Sequence, residues 1–128
     1  MNKTLTISIV GFIVIIISGI FIQNYLEKSS ESLLKDVNAL KILIIANKNE
    51  LTDKVKEPLI EEWEKTKKIW STLIDHNELD SIEEIVKRIE VLLSNTDEET
   101  ELLAELNRLE FYLEHIPEKE RFAIENIL

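Results

Sequence analysis

Apolar residues are arranged along this chain in two ways. From Leu5 to Ile22 they run together as LTISIVGFIVIIISGIFI, without a charge, whereas beyond Gln23 they recur at intervals of three and four. The first pattern predicts a membrane-spanning helix, because about twenty apolar residues at about 1.5 Å each cross a bilayer core. The second predicts amphipathic helices, each turning one face to a shared core.

Leu26, Leu33, Val37, Leu40, Ile44 and Leu51 mark one face of the first helix after the apolar run. That helix either continues the span or starts afresh. Within it Leu40 to Ala46 (LKILIIA) is apolar nearly all round, and without a second strand to pair it reads as buried helix. Val55, Leu59, Trp63, Trp70, Leu73 and Ile74 mark the next helix, with Thr52 as its cap and Pro58 as its start or a kink. The sequence Asp75-His76-Asn77-Glu78-Leu79-Asp80-Ser81 supplies a turn. Ser81-Ile82-Glu83-Glu84 then reads as a capping box before the face Ile82, Ile85, Val86, Ile89 and Leu93. A second box, Thr96-Asp97-Glu98-Glu99, opens a helix bearing Leu102, Leu106, Leu109, Leu113 and Ile116, which is expected to stop at Pro117. Pro117 would then be the first residue of a short last helix with Phe122, Ala123 and Ile127.

Short connections favour antiparallel neighbours, so the expected fold class is all-α: a single amino-terminal transmembrane helix followed by an antiparallel helical bundle. Trp63, Trp70, Ile82, Ile89, Leu106, Leu109 and Leu113 are expected inside. The predicted division is a tail at 1–4, a span at 5–22, a juxtamembrane helix at 23–51 and an acidic bundle at 52–128. A cleaved secretory leader is the competing reading of the apolar run. Such leaders have a shorter apolar region and a small-residue cleavage site, for which only Ser30-Glu31-Ser32 is available, so an uncleaved anchor is expected. Lys3 before the span and Lys28 and Lys35 after it do not set orientation by charge, but a short tail before a long domain favours export of the domain from the cytoplasm. Ser8, Gly11, Ser18 and Gly19 offer a small-residue face for a partner span, or are simply tolerated there.

Composition narrows the chemistry. There is no cysteine, which removes disulfides, thiolate metal sites and cysteine nucleophiles. Gly11 and Gly19 are the two glycines, so the chain after Gln23 lacks the residue that phosphate loops, dinucleotide turns and nucleophile elbows require. The net charge of −10 is uneven: nine acidic and nine basic residues from Gln23 to Ile74, then sixteen acidic and five basic from Asp75 to Leu128. So acidic a surface repels phosphate backbones and anionic headgroups, and no nucleic-acid partner is expected.

Three stretches carry a resemblance: Trp70 followed by Asp75-His76-Asn77-Glu78-Leu79-Asp80-Ser81-Ile82-Glu83, then Leu109-Glu110-Phe111-Tyr112-Leu113-Glu114-His115-Ile116-Pro117-Glu118, and the closing Glu125-Asn126-Ile127-Leu128. From about Trp63 onward the chain resembles a family of short membrane-anchored proteins of Gram-positive bacteria, catalogued as domain of unknown function 4363. The resemblance implies one amino-terminal span and a helical domain, and it brings no activity or catalytic residue with it.

One constellation is worth a geometric test. If the helices on either side of Asn95 form a hairpin, His76 and His115 lie at the same end of the bundle, with Asp75, Glu78, Asp80, Glu114, Glu118 and Glu120 around them. Imidazole and carboxylate together can hold zinc or another divalent ion, and His76, His115, Asp75, Glu78 and Glu118 are the candidate ligands. The bland reading is that the histidines cap helix ends or bond neighbouring carboxylates. A calcium loop at Asp75 is excluded, since Leu79 and Val86 stand where ligands belong. No catalytic residue and no cofactor is expected. The leading expectation is a non-enzymatic, membrane-anchored module that binds another membrane or envelope protein, or itself. The alternative is an extracytoplasmic sensor of a metal or small ligand near His76 and His115.

Overall fold

In the computed structural model the backbone is described for residues 2–95 and 97–127, and side chains for the same residues except Asn49 and Ile127. Four helices account for almost all of it: α1 (Lys3–Ile45), α2 (Thr52–Trp70), α3 (His76–Leu93) and α4 (Glu99–Ile127), with one 3₁₀ turn at Asn49–Leu51 before α2. No strand occurs among the described residues.

The apolar run and the first bundle helix are one unbroken helix, α1, of 43 residues. It opens with the Asn2 side chain accepting from the Thr4 N–H and closes where Asn47 takes φ 59°, a left-handed position that asparagine tolerates. There Lys48 N–H bonds the Leu43 carbonyl and Asn47 N–H the Ile44 carbonyl, so the last turn is closed without glycine. The apolar part of α1 is long and hydrophobic enough to cross a membrane and lies outside the bundle core. The rest of α1 is a wall of the bundle, burying Leu26, Leu33, Val37, Leu40 and Ile44.

α2 returns antiparallel to α1, α3 runs back beside α2, and α4 closes the bundle against α3 and α1. Trp63 and Trp70 meet edge to face in the centre, centroids 6.2 Å apart. Around them lie Ile82, Ile89, Leu106, Leu109 and Leu113, all buried as their spacing requires.

Four local expectations are corrected. α2 begins at Thr52, ahead of Pro58, and its cap position is Leu51, which makes no side-chain capping bond; Pro58 is exposed, so water can serve the Lys54 carbonyl that a proline cannot. α3 starts at His76, not after Ser81, because Asp75 caps it by accepting from Asn77 N–H at 2.8 Å; Ser81 lies inside and returns its hydroxyl to the Asn77 carbonyl. The LKILIIA stretch is helix, but Ile42 and Ile45 face solvent while Leu40 and Ile44 face the core. α4 does not stop at Pro117; it runs through to Ile127. The expected cap Thr96 lies outside the described residues.

Candidate functional site

Proline in a helix interior removes the N–H that would serve the carbonyl four residues earlier, here that of Leu113. A buried carbonyl left without a partner is costly, so a supplier is required. Ser30 of α1 is that supplier: its hydroxyl, buried in the interface, donates to the Leu113 carbonyl. One turn further along α4 and two turns down α1, Gln23 Nε2 donates to the Pro117 carbonyl at 2.8 Å and to Glu27 at 3.0 Å. Ser29 donates to the Tyr25 carbonyl at 2.7 Å, which leaves its oxygen free to accept from the Trp70 indole N–H at 2.9 Å. Arg121 pairs with Glu27 at 2.8 Å. Together these groups form a polar collar where α1 leaves the apolar segment, binding α1 to α2 and α4.

Above the collar, the outward face of α4 carries an exposed aromatic group. Phe111, 61% exposed, stacks on His115 one turn on, rings 5.4 Å apart and 9° from parallel. Tyr112 meets Phe111 edge-on at 5.9 Å, and Asn107 and Arg108 complete a shallow groove beside them. Glu114 and Glu118 are exposed on the same stretch of helix.

Three carboxylates sit on the core side of their helices. Glu105 is buried and neutralised by Arg108 at 3.1 Å and Arg88 at 3.5 Å. Glu83 accepts from the Trp63 indole at 2.8 Å and pairs with Lys67 at 3.1 Å; burial raises its pKa, but Trp63 and Lys67 outweigh this and hold it below the usual carboxylate value. Asp36, on α1, differs, because it faces another acid, Glu62 of α2. Burial first, then the hydrogen bond and charge shared with Glu62, push its carboxyl up to about 7.

Residues 20–127 match the family described as Domain of unknown function (DUF4363). The chain belongs to the DUF4363 family. The match takes in the last turn of the apolar segment, the whole collar and the bundle. No curated protein and no solved structure matches this DUF4363 chain.

The two histidines lie at the same end of the bundle. Glu78, in the first turn of α3, meets Lys119 at 3.0 Å, one turn past His115. They are not gathered into a ligand set: among the described residues no three His, Cys, Asp or Glu side chains are grouped to hold a metal. Asp75 is occupied as the α3 cap, Glu78 by Lys119 and the His115 ring by Phe111. His76 and Glu118 are exposed.

The collar and the Asp36–Glu62 pair escaped sequence reasoning. A signal for both was present. Ser29, Ser30 and Asp36 lie on the stripe of α1 that carries Leu26, Leu33, Val37 and Leu40, and a polar residue in a core register needs a partner.

Proposed function

We propose that this chain is a non-enzymatic interaction module: α1 crosses the cell membrane once, and the bundle, outside the cytoplasm, offers the outward face of α4 to another membrane or envelope protein. The supporting observation is the exposed aromatic group on α4, with Phe111 stacked on His115. Interfaces concentrate their energy in aromatic anchors, and α4 is tied to α1 by the collar's hydrogen bonds and the Arg121–Glu27 pair. Glu114 and Glu118 beside the aromatic rings favour a partner surface with apolar groups flanked by lysine or arginine. Tethering at the membrane raises the effective concentration, so a modest contact area suffices. The lack of glycine after Gln23 supports a role without catalysis.

The test is site-specific photo-crosslinking of the full chain in its native membranes. A crosslinker at Glu114 is expected to give one discrete adduct that vanishes when Phe111 and His115 are both changed to serine. A crosslinker at Glu84, on α3, is expected to give none. No adduct at 114, or the same adduct from both positions, refutes the proposal; an adduct of twice the chain's mass identifies the partner as a second copy.

A further inference from the structure

The two walls of the collar fix how far α4 descends. Ser30 meets Leu113 and Gln23 meets Pro117, and α4 then continues down the side of the apolar segment until Ile124 lines one cleft with Gly19 and Phe21 and a second with Gly19 and Ile22. Gly19 belongs to the uncharged run that ends at Ile22, so at about 1.5 Å per residue Ile124 sits roughly 5 Å inside the end of that run. Two helices packed side by side at one level share one solvent. If α1 is in lipid there, so is α4.

The sequence of this part of α4 fits that environment. Arg121 belongs to the collar, and Phe122, Ala123 and Ile124 follow without a charge before Glu125 and Asn126, polar residues suited to the headgroup layer and not to the acyl core. Phe122 is 66% exposed and makes no core contact, an arrangement costly in water and favourable at the boundary between headgroups and acyl chains. The end of a helix also carries carbonyls without intrahelical partners, which the hydrocarbon centre would not serve but the headgroup layer would. We infer that the last turns of α4 form a foot that enters the lipid headgroup and acyl boundary beside the span, so the bundle stands on the membrane by two helices, only one of which crosses it. The partner of this surface is the bilayer, and the inference rests on the reading of α1 as a membrane span.

With no native cysteine, each position can be labelled alone. Phe122→Cys, Asn107→Cys and Ile13→Cys variants of the full chain, each carrying an environment-sensitive fluorophore, would be reconstituted in phosphatidylcholine vesicles containing lipids spin-labelled near the headgroup. All three residues are exposed, so labelling leaves the core intact. The label at 122 is expected to be quenched several-fold more strongly than the label at 107, with its emission shifted to the blue. Equal, weak quenching at 122 and 107 overturns the foot while leaving the span in place, provided that spin labels deep in the acyl chains quench position 13. If the deep labels do not quench position 13, the span and the foot fall together.

Discussion

Ser30 shows how one hydroxyl can permit an otherwise forbidden residue. Proline inside a helix costs about 3 kcal/mol, partly a clash and partly the carbonyl it orphans, and Ser30 repairs the second part by donating to Leu113. Ser30→Ala should therefore destabilise the full chain in detergent micelles by about 1–3 kcal/mol, the usual cost of an unsatisfied buried polar group. In a Pro117→Ala background, where residue 117 regains its N–H, the same change should cost less than half as much. Equal costs in both backgrounds, measured by denaturant unfolding, would show that Ser30 acts otherwise. The sequence contains both residues but does not pair them. Pro117 reads as a helix stop because the compensating hydroxyl lies on another helix, far away in the chain, and no local pattern can show that α1 and α4 meet there.

Among the helices, the α1–α2 contact carries an electrostatic conflict, Asp36 against Glu62. Asp36 has a folded pKa of about 7 against an ordinary 3.8, so between these values the folded chain holds a proton that the unfolded chain has lost. Its contribution is fully present below the unfolded value and is lost as pH rises through about 7. Asp36→Asn should accordingly raise the melting temperature at pH 8, change it little at pH 4, and flatten the fall between the two. Glu83 works the opposite way. Its pKa is lowered by the Trp63 and Lys67 contacts that overcome its burial, so its contribution is present above the ordinary carboxylate value and lost on acidification. Helix existence, type and core faces were legible because three-and-four spacing is a local property that every helix displays. Boundaries were read less well. Asp75 and Ser81 both satisfy the rules for a cap, and the choice fell to Asp75 because nothing between them breaks the helix.

At the scale of the whole molecule, the part of α1 that follows the apolar segment is a wall of the bundle and not a linker to it. Leu26, Leu33, Val37, Leu40 and Ile44 on α1 form one side of the core, so a chain begun at Gln23 should retain its helical circular dichroism and a cooperative melt. A chain begun at Leu51 should lose both, since several large apolar side chains, each contributing about 1.5–3 kcal/mol when buried, are removed together. Retention of a cooperative melt in the shorter chain would contradict the four-helix core. The histidine constellation illustrates the limit of reading sites from sequence. Hairpin counting correctly placed His76 and His115 at one end, but proximity along an axis does not decide azimuth, and His115 turns outward to Phe111.

Because α1 is continuous from Lys3 to Ile45, the compass bearing of the bundle is written in residue count. One residue added near Ile9 would swing everything above it by about 100° relative to the first turns of the helix, and lift it by about 1.5 Å. A neighbour that grips both the apolar stem and the aromatic flank above it would then find one of the two facing away. For such a neighbour, the phase of a single helix is as much a part of the binding surface as any side chain on it.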